Sequence, residues 1–111
     1  MKLIAERVKG ETIIREDTQI QGIVNGRVYV EKGANLIHMG MIIGTVTVER
    51  GAEASIFGFV KGDAINNGGN LNVFGTVNGA VRTESGNTKI DKDAFIKERV
   101  DLRAVPVAAG R

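Results

Sequence analysis

The sequence contains no cysteine, no tryptophan, a single proline and few aromatic residues among its 111 positions. Without cysteine there is neither a disulfide framework nor a thiolate metal site. The N-terminus has no apolar run of signal-peptide length, and no window approaches the roughly 18 apolar residues of a membrane span. We therefore expect a cytoplasmic protein that does not insert into the membrane. Any location at the inner face of the membrane would depend on protein partners.

The charge shows no excess that would mark a nucleic-acid-binding protein. Fifteen basic and thirteen acidic residues leave a formal net charge of +2, and the two signs alternate along the chain. A nucleic-acid interface concentrates Lys and Arg on one face or in one run. The sequence therefore predicts no nucleic-acid partner.

Glycine is abundant and regularly spaced. Its 15 copies do not suit a helical bundle, where each interior glycine costs about 0.5–1 kcal/mol. Three series of glycines keep the same successive intervals, which indicates a repeat architecture. The series are Gly22, Gly40, Gly58, Gly75; Gly26, Gly44, Gly62, Gly79; and Gly33, Gly51, Gly69, Gly86.

Within each copy, apolar residues return every six positions. The series is Val24, Val30, Leu36, Ile42, Val48, Ala54 and Val60, resuming after a one-residue deletion as Ile65, Leu71, Val77 and Thr83, and after a second slip as Ile90, Ile96 and Leu102. A small or β-branched residue usually lies two positions earlier, and residues two apart on a strand point the same way.

This pattern predicts an all-β fold, a single-stranded three-sided parallel β-helix, or β-solenoid, of about six coils of ~18 residues. Parallel crossovers favour right-handed winding. The alternative, a sandwich of short strands, would show turn signals every ~8–12 residues. We expect one domain over 1–111, with repeats over 8–102 and a short C-terminal tail over 103–111.

The outward positions of the three faces differ in character. Two faces are polar, around Tyr29 and around Asn35, whereas the third collects most of the large apolar side chains. Either some of these point inward in a shifted register, or they form an exposed apolar face, which marks a protein contact. The candidate interface residues on this face are Ile23, Met39, Met41, Phe57, Phe59 and Phe74.

The two ends of a solenoid expose unpaired strand edges and an open core. The sequence shows no strong amphipathic cap at either end, so we expect end-to-end association through apolar plugs. The predicted plugs are Val8, Ile14 and Ile20 at one end and Phe95, Ile96 and Val100 at the other.

No residue pattern indicates covalent chemistry. The only histidine, His38, falls at a corner of the repeat and is predicted to lie on the surface. Asp91 and Asp93 flank Lys92 in a charged turn, and the stretch 66–70 is a loop that covers a register slip. We expect no catalytic residue, no metal and no cofactor, and hence no enzyme.

Several motifs resemble the bactofilin family. They are Val60-Lys61-Gly62, Gly75-Thr76-Val77-Asn78-Gly79, the repeated V-x-V-E-x-G-A of 28–34 and 46–52, and the closing segment 90–96. The resemblance covers about residues 8–100. It implies a right-handed solenoid that polymerises end to end, without nucleotide, into non-polar filaments. It also implies a bacterial cytoplasmic cytoskeleton that scaffolds cell-wall or shape-determining proteins.

The chain departs from that family in its very short flanking segments, which puts direct membrane binding in doubt. Two functions therefore stay open. One is a bactofilin-like structural protein whose partner is another copy of itself. The other is a monomeric or dimeric module, such as a toxin-neutralising immunity protein, that binds a protein partner through the Met/Phe face.

Overall fold

The computed structural model describes residues 1–103, and residues 104–111, most of the expected tail, lie outside the described part. Residues 1–103 form fourteen β-strands and no helix. Every strand pair is parallel. The strands stack in three columns, which confirms the three-sided parallel β-solenoid of about six coils and excludes the sandwich.

Each column of strands forms one face. Face A consists of β1 (Lys2–Ile4), β4 (Thr18–Ile20), β7 (Asn35–His38), β10 (Glu53–Ile56) and the ends of β12 (Ala64–Val73) and β13 (Thr76–Ile90). Face B consists of β2 (Arg7–Lys9), β5 (Ile23–Asn25), β8 (Met41–Ile43), β11 (Phe59–Val60) and the starts of β13 and β14 (Phe95–Asp101). Face C consists of β3 (Thr12–Ile14), β6 (Val28–Val30), β9 (Val46–Glu49) and the remaining parts of β12, β13 and β14.

The core is a set of vertical rows of branched side chains. Val24, Ile42 and Val60 are aligned in register and fully buried, as the six-residue period predicts. Because each row adds one aliphatic side chain per coil, the interior is filled without large aromatic residues. Tyr29, Thr47 and Arg82 lie outside the core, as predicted, and Ile13, Ile65 and Val100 share their outward column on face C.

The predicted inward position of Ile65 is wrong. Ile65 is aligned with Thr47 and Arg82 on the outside of face C, while its neighbours Ala64 and Asn66 point into the core. The deletion lies later, after Asn66, where the register shifts. The stretch 66–70, predicted to be a loop, lies instead within β12. Because the deletion follows Asn66, the alternation before it is unchanged and the inward set continues up to Asn66.

The prediction that His38 lies on the surface is also wrong. Its side chain is 0% exposed and lies in a buried row between Ile20 and Ile56. In the interior coils, face A has a third inward position because β7 and β10 are four residues long. A strict six-residue period allows only two inward residues per face, so it places this third position at the corner between faces.

The solenoid extends further toward the N-terminus than the predicted repeats. β1 begins at Lys2, and the row of Ile4 continues through Ile20 with a spacing of 16 residues and through His38 with 18. The first coil therefore has a shorter corner than the next two. Over residues 1–103, no helix is long and apolar enough to cross a membrane.

Candidate functional site

The apolar residues predicted for the third face do point outward. Met39, Phe57 and Phe74 follow the face A strands at the corner with face B and are 54%, 48% and 43% exposed. Ile23, Met41 and Phe59 lie beside them on face B; Met41 is 37% exposed and the other two are half-buried. We call these six residues the apolar strip.

The corner half of the apolar strip is a continuous vertical row. The amides of Met39, Phe57 and Phe74 donate to carbonyls of successive coils, at Ile20, His38 and Ile56. The rings of Phe57 and Phe74 stack with centroids 4.7 Å apart and planes within 7°. Below them the side-chain amide of Gln19 donates to the Met39 sulfur at 3.2 Å. Regular coil spacing therefore holds this row in a fixed outward array.

The apolar strip carries no charge, but charges flank it. In the fourth coil, Glu53 lies four residues before Phe57 on face A, and Lys61 lies four residues after it on face B. Both are exposed. In this coil the strip has an acidic side chain on one side and a basic one on the other, whereas in the last coil Lys89 on face A and Lys97 on face B are both exposed and basic.

At the N-terminal end, the first coil leaves one side of its strands without a neighbour. Within residues 1–103, β1, β2 and β3 pair only with β4, β5 and β6. Ile4 and Ile14 belong to the core, and half-buried Val8 packs against it. Ile20, by contrast, lies one coil inside, beneath Ile4. The side chains at this end are thus Ile4, Val8 and Ile14.

At the C-terminal end, the three predicted plug residues do not all point into the core. Ile96 packs against the core, as does Ile90 beside it. Phe95 is 59% exposed and aligned with Thr76 on the outside of face B, in the same row as Phe59. Val100 is aligned with the outward Arg82, and Leu102, expected to point inward, is 38% exposed.

An ion pair lies at the corner that follows β14. The Arg103 guanidinium donates to both carboxylate oxygens of Asp101, at 3.0 and 2.8 Å, and to the carbonyl of Gly86 at 2.8 Å. These hydrogen bonds lower the pKa of Asp101. Sequence reasoning missed this pair, although the Asp-x-Arg spacing was visible in residues 101–103.

The remaining candidates for chemistry, His38 and Asp91, make local contacts within the described chain. His38 lies in the core with its Nε2 2.9 Å from the carbonyl oxygen of Phe59. The Asp91 carboxylate accepts from the amide of Asp93 at 3.0 Å and so closes a turn. Residues 1–103 contain no group of three or more His, Cys, Asp or Glu side chains arranged to hold a metal ion.

The apolar strip and the two coil ends are the candidate contact surfaces of residues 1–103. No family model, no curated protein and no solved structure matches the sequence or the fold of this chain.

Proposed function

We propose that the protein is a bactofilin-like structural scaffold that assembles end to end, through its terminal coils, into filaments that need no nucleotide. The observation that carries this proposal is the open strand edge at each end of the described solenoid. Within residues 1–103 the outer edges of β1, β2 and β3 and of β14 have no strand beside them. Backbone amides on such edges are templates for another strand.

The rows of the core support stacking of one copy on the next. Continued by one coil beyond the C-terminal end, the row that ends at Ile90 would receive Ile4 of the next copy. The row that ends at Ile96 would receive Val8 in the same way. Three further rows differ, because Lys2, Thr12 and Ile14 would meet Thr88, Arg99 and Asp101. Two rows thus continue as aliphatic contacts.

Stacking through this cross-section would bury on the order of a few hundred Å² per copy, below the ~800 Å² of a standard interface. Backbone hydrogen bonds between the terminal strands of two stacked copies would add to that contact on all three faces, as such bonds do between neighbouring coils of one chain. The same proposal places the protein in the bacterial cytoplasm, at the inner face of the membrane through partners, as the resemblance to bactofilins implies.

The test places a charge in the stacked row. Ile96→Glu puts a carboxylate where Val8 of the next copy would pack, so filaments seen by negative-stain electron microscopy without nucleotide are expected to be lost. Lys97→Glu, on the exposed neighbouring residue of the same strand, is the matched control and is expected to keep filaments. Filaments formed by Ile96→Glu, or a wild-type protein that stays monomeric at high concentration, would overturn the proposal.

A second candidate function is a protein-binding module that uses the apolar strip, for example a toxin-neutralising immunity protein. The observation that favours it is the exposure of Met39, Phe57 and Phe74. Size-exclusion chromatography of the wild-type protein distinguishes the two functions. A binding module is expected to elute as discrete small particles although its terminal coils are free to associate, whereas a scaffold is expected to form large assemblies.

A further inference from the structure

Two rows of face C change from buried to charged at the C-terminal end. The last strand, β14, aligns Arg99 with Val81 and Asp101 with Thr83. The residues of these rows in the four coils before β14 are all buried: Val28, Val46, Ala64 and Val81 in one row, and Val30, Val48, Asn66 and Thr83 in the other. Arg99 and Asp101 are exposed. The last strand therefore places a base and an acid at the two positions that continue the core.

Arg103 adds a third charge at this end and holds the acid in place. Its guanidinium donates to both carboxylate oxygens of Asp101 and to the carbonyl of Gly86, one coil earlier in the chain. Arg99, Asp101 and Arg103 all line a cavity of about 240 Å³ at the C-terminal end. We call these three residues the C-terminal charge cluster. A copy stacked on this end would cover both the cavity and the cluster.

Stacking would remove the C-terminal charge cluster from water without supplying new charged partners on face C. In the arrangement proposed above, Thr12 of the next copy would lie over Arg99, and Ile14 over Asp101. Neither Thr12 nor Ile14 carries a charge. Taking an ion pair out of water costs free energy that its own attraction often fails to return. Inward-pointing charges on a terminal strand are accordingly one way in which proteins limit the pairing of exposed strand edges.

We propose that the C-terminal charge cluster limits end-to-end assembly by raising the protein concentration at which copies stack. This inference rests on the proposed function, because it concerns the same end of the solenoid. The rows that end at Ile90 and Ile96 favour stacking, whereas the cluster opposes it. The N-terminal end has one comparable residue, Lys2, which is exposed and aligned with the buried Thr18. Most of the opposition therefore comes from the C-terminal end.

The experiment measures the critical concentration for assembly by pelleting, with negative-stain electron microscopy of the pellets. The double variant Arg99→Val/Asp101→Val is expected to lower that concentration about tenfold or more, because apolar residues in place of a buried ion pair often stabilise a contact. Lys97→Val/Glu98→Val is the matched control, since it removes the same two charges from exposed residues of β14 outside these rows. The control is expected to stay within about twofold of the wild type.

If the double variant does not fold by circular dichroism, Arg99→Gln/Asp101→Asn, which removes only the charges, takes its place and is expected to lower the critical concentration by a smaller factor. Ile96→Glu added to either variant is expected to abolish assembly, because the contact still uses the C-terminal end.

The outcomes distinguish this inference from the proposed function. Native filaments with an unchanged critical concentration in the variant, an equal fall in the control, or assembly of the variant that survives Ile96→Glu would overturn the inference alone. Assembly by neither the wild type nor the variant would overturn both. Assembly by the variant alone would support the inference and overturn end-to-end assembly of the wild-type protein.

Discussion

His38 is a titratable ring placed in an aliphatic row. Its neighbours in the row are Ile20 and Ile56, and its side chain is fully buried. Since Nε2 faces the carbonyl oxygen of Phe59, that nitrogen carries the proton. Nδ1 is buried without a hydrogen-bond partner. Burial lowers the pKa of His38, because the charged imidazolium would lose its hydration.

This predicts a stability that falls in mild acid. In the unfolded chain the histidine takes up a proton below about pH 6.5, whereas the folded chain resists protonation until a lower pH. The unfolded state therefore binds more protons in that window, and the free energy of unfolding drops by up to about 1.4 kcal/mol per pH unit. Above pH 6.5 this term is constant.

His38→Ile, which matches the other residues of its row, is the control for this prediction. Urea unfolding at pH 7 and pH 5 is expected to show a smaller loss of stability for the variant than for the wild type. Equal losses in the two proteins would mean that His38 does not set the acid sensitivity.

Asn66 is one of four buried polar residues in the described chain, and unlike His38 it has hydrogen-bond partners for its side-chain nitrogen and oxygen. Its amide nitrogen lies 2.8 Å from the carbonyl of Asn87 and 3.0 Å from the Thr88 hydroxyl. Its oxygen accepts from the amides of Gly68 and Gly69, at 3.2 and 2.9 Å. One side chain thus closes its own corner and joins it to the next coil.

Asn66→Asp keeps the shape of this side chain but removes its donors and buries a carboxylate. We expect the free energy of unfolding to fall by about 3 kcal/mol, since buried polar groups left unsatisfied are costly. Asn78→Asp, on an exposed residue, is the matched variant and is expected to change stability by less than about 0.5 kcal/mol. Similar urea midpoints for the two variants would contradict the role assigned to Asn66.

At the scale of the strands, the corners decide how closely coils approach. A Cβ built on Gly62 would lie 2.5 Å from the carbonyl oxygen of Gly44 in the coil below. The same glycine donates its amide to that oxygen at 3.0 Å. If the coil moved away to make room for a side chain at Gly62, the hydrogen bond between Gly62 and Gly44 would be lost. Gly33, at a protruding turn, has open space around it but a φ of +88°.

The two glycines predict substitutions of different cost. Gly62→Ala is expected to destabilise by about 3 kcal/mol, because the added methyl group overpacks a hydrogen-bonded contact. Gly33→Ala is expected to cost about 1 kcal/mol, which reflects only its left-handed backbone. Thermal melting of both variants checks the order. A Gly33 variant less stable than the Gly62 variant would show that backbone strain, not coil spacing, limits the corners.

At the scale of the whole molecule, each coil contacts only its neighbours. Terminal coils are therefore supported on one side and interior coils on both, as in other repeat proteins. Hydrogen exchange is expected to be slowest in β9 and β10 and faster in β1 and β2. If copies stack end to end, protection of β1 is expected to rise with protein concentration while that of β9 stays constant. Uniform protection along the chain would contradict this one-dimensional picture.

The sequence by itself determined the three-sided solenoid, since the buried rows exemplified by Val24, Ile42 and Val60 follow directly from a six-residue period of branched side chains. It also determined that Met39, Phe57 and Phe74 recur at one position of the repeat. The period fixes orientation wherever strands and corners keep constant lengths.

Only the tertiary structure decided what happens where corner lengths change. The burial of His38 depends on a longer strand, and the burial of Asn66 depends on the deletion lying after it and not before it; neither feature alters composition or hydropathy enough to show in the sequence. The ion pair of Asp101 with Arg103 likewise follows from a register shift between β13 and β14, which aligns Asp101 with Thr83. A shift of one residue exchanges the inside and the outside of a strand, and the hydrogen bonds that favour one register over the other form only when the coils are stacked.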